Sequence, residues 1–292
     1  MLCGVFVYGY VFCMVITGEQ TVLVTGASGG LGAFITRALA ARGVKLALVA
    51  YPGVDLDALC QEVRKKGGKA ISIIADLRLP AERKSMLEKV RAEFGHIDIL
   101  VNNAGVEFTA MYHELSEANI LEVLGVNLEA PMMLTQAVLP DMLRRRSGHI
   151  VNISSLAGKT GPAFQEPYAA TKAGLIAFTS SLRGTYRGTG VSASVICPGF
   201  VEAGIYSKLK AESGISAPFL LAACQPESVA EAVVRAIENN LPEVIVSRYP
   251  FKPLCAMIAL FPRFGEFLLR QTGAHEFFSK VADALKKKHA SR

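Results

Sequence analysis

The run Thr21-Val22-Leu23-Val24-Thr25-Gly26-Ala27-Ser28-Gly29-Gly30-Leu31-Gly32 decides how the rest of the chain is read. Its opening is short, apolar and β-prone, and its second half is a glycine-rich turn that runs into a helix-length segment. Glycine is needed in such a turn because the backbone must bend sharply and approach a pyrophosphate with no Cβ in the way. The helix that opens there leaves its first N–H groups free to hold the anion. A glycine-rich stretch alone would also fit a flexible turn. Its placement between the first strand and the first helix is what points to dinucleotide binding.

Further short Val/Ile/Leu-rich runs lie at 45–50, 70–75, 97–101, 149–153, 192–197 and 243–246. Each is nearly continuous in apolar residues, as expected of strands covered on both faces. Between them, segments such as 31–42, 56–66, 80–94, 131–145 and 168–187 repeat apolar residues every three or four positions. Strand–helix alternation of this kind predicts right-handed crossovers and a doubly wound α/β domain with a parallel sheet.

Composition narrows the function. Of 292 residues, 51% are hydrophobic, with 31 Lys and Arg against 25 Asp and Glu. That apolar fraction fills a sizeable core and excludes disorder, collagen-like repeats and a disulfide-stapled mini-protein. The charge is uneven: residues 1–247 balance, whereas 248–292 hold nine basic and three acidic side chains. A balanced body argues against a nucleic-acid partner. Six cysteines, at 3, 13, 60, 197, 224 and 255, form no CxxC pair, so no metal site or redox dithiol is expected. They suit a reducing, cytoplasmic compartment.

The chain divides into an apolar N-terminal segment (1–19), a catalytic body (20–247) and an apolar, basic helical tail (248–292). Residues 2–16 carry no charge but fall short of the ~20 residues of a spanning helix. They also lack the basic start and cleavage site of a secretory signal. Three readings stand: a non-native extension with Met14 as the working start, a membrane-touching segment, or a buried strand or lid.

Further landmarks accompany the glycine turn. Asn102-Asn103-Ala104-Gly105 follows the fourth run, Asn127 lies in the next helix, and Asn152-Ile153-Ser154-Ser155 ends the fifth. Tyr168-Ala169-Ala170-Thr171-Lys172 comes 13 residues after Ser155, and Pro198-Gly199 closes the sixth. In order and spacing these motifs resemble the short-chain dehydrogenase/reductase family, from Thr25 to Gly199. The resemblance implies a Rossmann-type single domain that works with NAD(P)(H) on a small-molecule ketone or alcohol, commonly as a homodimer or homotetramer.

Tyr168 and Lys172 stand at i and i+4, on one helix face. A tyrosine titrates near ~10, and a fixed ammonium with a positive nicotinamide would pull that value down. Tyr168 would then exchange a proton with the substrate oxygen as hydride moves. Ser155 would orient that oxygen, with Ser154 as the competing choice. By resemblance, Asn127 supports a proton relay from the lysine to solvent.

The resemblance also assigns cofactor contacts to Gly26, Ser28, Gly30, Leu31, Gly32, Asp76, Leu77, Asn103, Gly105, Tyr168, Lys172, Pro198 and Gly199. Asp76 would meet the adenine amine and Lys172 the ribose hydroxyls. Two departures matter. Ala203 stands where the family often has a threonine against the nicotinamide amide. Ala50-Tyr51-Pro52 offers neither an acid for a ribose 2′-hydroxyl nor an arginine for a 2′-phosphate, and Gly29 replaces a frequent basic residue. NAD versus NADP stays open, with a lean to NADP for want of a repelling carboxylate.

Substrate contacts are expected from Phe200, Ile205, Tyr206, Leu209, Phe164 and Gln165, with 217–223 also apolar. A lipophilic substrate suits them, and so does a helical flap. Glu107, Phe108 and His113 are further candidates, His113 being better placed on the surface. The tail, apolar over 251–269 and ending in Lys286-Lys287-Lys288, fits a membrane surface, an oligomer contact or a cover over the cleft. The rival to an enzyme is a dinucleotide-binding sensor or scaffold without turnover.

Overall fold

Strands as short and apolar as those above hold together only when helices cover both faces. The computed structural model, which describes residues 14–290, shows that arrangement. Seven strands make one parallel sheet: β1 (Thr21–Thr25), β2 (Lys45–Ala50), β3 (Lys69–Ile74), β4 (Ile99–Asn102), β5 (Gly148–Ile153), β6 (Val191–Pro198) and β7 (Glu243–Val246). Their order is β3-β2-β1-β4-β5-β6-β7. Every residue of β1, β4 and β5 is buried.

Helices α1 (Gly30–Ala40), α2 (Asp57–Lys65), α3 (Pro80–Phe94), α4 (Glu117–Leu124) and α5 (Ala130–Arg145) serve the first half of the sheet. The short α6 (Ala157–Thr160), α7 (Glu166–Thr185), α8 (Gly204–Ser213) and α9 (Pro226–Glu238) serve the second. On one face Ile35, Leu39, Val229, Val233 and Ile237 pack on Val22, Val24 and Ile99. On the other, Met86, Leu134, Val138 and Met142 pack on Leu23, Leu100 and Ile150. β1 pairs with β2 on one side and β4 on the other, so the chain reverses direction there and opens a crevice at the strands' carboxyl ends.

Two local expectations are corrected. The fourth strand begins at Ile99 rather than Ile97, with Asp98 at its entry as an anchor. Its carboxylate accepts from the Thr21 N–H (2.9 Å) and pairs with Arg145 (2.6 Å). Asn127 lies not in a regular helix but in a π-helical turn, Gly125–Glu129, between α4 and α5. Most of segment 2–16 lies outside the described residues. Its last part includes Met14 and Ile16, which are buried in the α1 core cluster.

The tail folds as α10 (Lys252–Leu260), α11 (Pro262–Gln271) and α12 (Ala274–Ala290). α12 is a cover: Phe277, Phe278 and Val281 are buried with Tyr206 and Leu209 of α8. α10 and α11 cross closely at Gly265, where a Cβ would lie 2.7 Å from the Ile258 Cα. They leave Leu260, Phe261, Phe264 and Phe267 exposed. Among the described residues, no helix is long and apolar enough to cross a membrane.

Candidate active site

One cavity of about 1440 Å³ runs from the glycine turn to α12. At its first end the turn is held by backbone contact. A Cβ on Gly30 would lie 2.2 Å from the Gly204 Cα, and one on Gly32 would lie 2.0 Å from the Gly26 carbonyl oxygen. Asn103 Nδ2 donates to the Thr25 and Gly26 carbonyls (3.0 and 2.9 Å), which fastens the turn to the end of β4. Gly29 caps α1 without a side-chain hydrogen bond, and Gly29, Gly30 and Leu31 at the helix start line the cavity. Ser28, Leu31, Leu77, Asn103, Gly105, Pro198 and Gly199 all line it. A dinucleotide fits this cradle, whose close backbone packing a side chain at Gly30 or Gly32 would break.

Lys172 is buried and donates one hydrogen bond from Nζ, to the Ile153 carbonyl (2.9 Å). Two ammonium donors are left for the cavity, as ribose hydroxyls would require. Asp76 lines the cavity and is held by an arginine. Both its carboxylate oxygens are taken by Arg78, at 2.9 Å from Nε and 2.6 Å from Nη2. That guanidinium holds the Asp76 carboxyl below its ordinary range.

Tyr168 faces the cavity, with Lys172 Nζ 5.5 Å from its ring centroid. The two share a face of α7, as their spacing predicted. Burial pushes Tyr168 up, the Ser155 hydroxyl offsets part of that, and Glu107 adds to it. Burial also pushes Lys172 down to about 8. The cost of charging a phenol in a closed cleft outweighs an ammonium at that distance.

Ser154 and Ser155 separate cleanly. The Ser154 hydroxyl is buried and donates to the Lys172 carbonyl (2.7 Å). Ser155 Oγ accepts from the Ala157 N–H (3.1 Å) and donates only weakly to the Pro198 carbonyl (3.4 Å). Ser155 therefore keeps a hydroxyl at the cavity wall. Asn127 is fully buried, and its amide clasps Val106, accepting from its N–H and donating to its carbonyl, both at 2.8 Å. Its side chain thus fixes the loop after β4 over the site.

At the second end Phe200, Ile205, Tyr206 and Leu209 line the cavity as expected, and so do Gln165, Glu107 and Phe108. Phe164 instead packs edge-on against His275 (5.5 Å). His113 sits exposed in a single turn, Tyr112–Glu114. Three contributions come from outside the motifs, the tail's cover being one of the readings stated for it. Gly204 touches the glycine turn, α12 lends Phe278 and Leu285 to the wall, and Arg78 crosses to the end of β2. The first had a signal in the glycine itself, whereas the others depend on long-range folding.

The comparisons agree with this geometry. A family model described as short chain dehydrogenase matches residues 20–214. The chain is 41% identical to the ketoacyl reductase HetN of Nostoc sp. (strain PCC 7120) over 273 residues, which is 92% of this chain and 94% of that protein. It is 38% identical to the 3-oxoacyl-[acyl-carrier-protein] reductase FabG of Escherichia coli over 180 residues, 62% of this chain and 72% of FabG. Among solved structures, a metagenomic short-chain oxidoreductase in complex with NADP aligns at a TM-score of 0.68 and 32% identity, covering 80% of this chain and 98% of that one. A single-substitution variant of actinorhodin polyketide ketoreductase with NADPH aligns at 0.74 and 29%, with the same coverage. Sheet order, glycine cradle and these likenesses together show that the chain belongs to the short-chain dehydrogenase family and is an NAD(P)(H)-dependent oxidoreductase.

Proposed function

We propose that this enzyme reduces the ketone of a lipophilic acyl substrate to an alcohol, with Tyr168 as the proton donor. The observation that carries the reading is the convergence of Tyr168, Ser155 and Lys172 between a dinucleotide cradle and an apolar chamber. The bound cofactor supplies hydride. Ser155 holds the carbonyl oxygen against the phenol. Tyr168, kept protonated by burial, gives its proton to that oxygen as negative charge develops there. Lys172 fixes the ribose and, close to its own titration point, offers a proton to restore the phenol. Asn127 keeps the loop over the site in register through Val106. An acyl ketone is favoured because two relatives are named for ketoacyl chemistry and the chamber walls are aromatic and aliphatic.

The test is Tyr168→Phe assayed with reduced cofactor and a 3-oxoacyl thioester. Turnover should fall about a hundredfold to ten-thousandfold, with nucleotide binding retained. Unchanged turnover would remove Tyr168 from the reaction. Nucleotide binding by the unaltered enzyme with no turnover of any ketone would favour the scaffold reading.

The same reading places the enzyme in the cytoplasm with one face on a lipid surface. Leu260, Phe261, Phe264 and Phe267 are exposed beside Arg263 and Arg270. Leu269 and Arg270 also line the cavity, so this face borders the route a lipophilic substrate would take.

A further inference from the structure

The substrate end of the cavity is walled mainly by aromatic and aliphatic side chains, and its ionisable groups are unevenly placed. Lys208 and Glu212 of α8 and His275 and Lys286 of α12 line it, and all four are exposed. Glu107, in the loop after β4, differs from them. It lines the same end but is partly covered, and it lies two residues beyond the Asn102-Asn103-Ala104-Gly105 motif. It is close enough to Tyr168 for its charge to push the phenol up.

Its orientation is set by a chain of hydrogen bonds. Gln165, buried at the start of α7, donates from Nε2 to the Thr109 hydroxyl (3.4 Å), and that hydroxyl donates in turn to Glu107 Oε1. The direction of the chain makes Oε1 an acceptor, so a proton on this carboxyl belongs on Oε2. Burial pushes the carboxyl up to about 7, while Lys208 and Glu212 act on it with opposite sign. A ligand that expels water from the chamber favours the acid form further. In that form Glu107 is a hydrogen-bond donor beside the phenol.

We propose that Glu107 is a substrate-binding residue that donates a hydrogen bond to the second carbonyl of a 3-oxoacyl thioester, and so selects 1,3-dicarbonyl substrates over isolated ketones. The two carbonyls of such a substrate are one methylene apart. The carboxyl that holds the second therefore stands beside the phenol that protonates the first. A site built around a covered polar group rejects a ligand that leaves this group unpaired. The place of the first carbonyl rests on the ketone-reduction reading, whereas the hold on the second is measured without turnover.

Binding is titrated by calorimetry with oxidised cofactor bound, so that no ketone is reduced. The ligands are a 3-oxoacyl thioester and its matched thioether, in which a methylene replaces the thioester carbonyl. At about pH 6 the unaltered enzyme should bind the thioester about threefold to tenfold more tightly, the range for one hydrogen bond. Glu107→Leu should abolish that preference, whereas Glu107→Gln, which keeps a donor of similar shape, should retain it. As pH rises to about 8.5, the preference should fade in the unaltered enzyme and persist in Glu107→Gln. That contrast separates Glu107 from Tyr168, Lys208, Glu212 and His275 around it. Equal affinity for the two ligands in the unaltered enzyme would overturn the proposal, as would no binding of either, or a Gln variant no better than Leu. Ketone turnover without the preference sinks this proposal alone. The preference with turnover unchanged in Tyr168→Phe sinks the role of Tyr168 alone.

Discussion

The two ends of the cavity are built from different materials. The nucleotide end is mostly backbone: Gly26, Gly30 and Gly32 pressed against Ala104 and Gly204, stapled by the Asn103 amide. The substrate end is mostly side chain, with Phe200, Tyr206 and Leu209 roofed by Phe277 and Phe278 from the tail. The family match takes in the nucleotide end with Phe200, Tyr206 and Leu209, and stops before the tail. The family model stops at residue 214 and the FabG match covers 62% of the chain, whereas the HetN match covers 92%. A cradle made of backbone admits few alternatives, since any Cβ meets another main chain. A roof made of apolar side chains can be rebuilt with other residues of similar volume.

This contrast can be broken most severely at the cradle. Gly32→Ala places a methyl 2.0 Å from the Gly26 carbonyl, and backbone must move to admit it. Binding of both NADPH and NADH should be lost, with the melting temperature lowered; a variant that binds either nucleotide normally would show the cradle to be more pliable than its contacts imply. The tail should respond more mildly. Changing Phe261, Phe264 and Phe267 together to Ser should reduce co-sedimentation of the full chain with anionic vesicles several-fold, while reduction of a small soluble ketone is preserved. Equal sedimentation of both forms would remove the lipid surface from the account.

The smallest effect is expected at Glu107, which sits between the two ends. Burial pushes its carboxyl up to about 7, with hydrogen bonds from Thr109 and Gln165 offsetting part of the cost and Lys208 and Glu212 facing it from α8. Because the folded-state value is raised, the folded chain holds a proton that the unfolded chain has released. Stability should therefore fall as pH rises from about 4.5 to about 7. Glu107→Gln should flatten that slope in thermal unfolding measured across the window, and remove any inflection near pH 7 from kcat/KM. An unaltered slope would mean that Glu107 is solvated at the cavity mouth.

Much of this was legible in the residues. The strand runs were placed within two positions of the observed strands, because a strand buried on both faces must be nearly continuous in apolar side chains. Offsets of one or two residues fall at strand ends, as at Asp98, whose side chain also accepts from the Thr21 N–H. The i, i+4 spacing of Tyr168 and Lys172 fixed their shared face without knowledge of the fold. Their ionisation depends on more than spacing, because an ammonium in the sequence shows neither its 5.5 Å separation from the ring nor the burial around both groups.

The chain's local order thus determined the sheet, the glycine turn and the shared face of Tyr168 and Lys172, since each rests on contacts between near neighbours or on a repeating pattern. Tertiary structure alone decided that Arg78 crosses to Tyr51, that Ser154 is tied to the Lys172 carbonyl while Ser155 keeps the wall, and that α12 closes the chamber. These depend on which distant surfaces exclude water together. Desolvation belongs to the packed assembly rather than to any one segment of it.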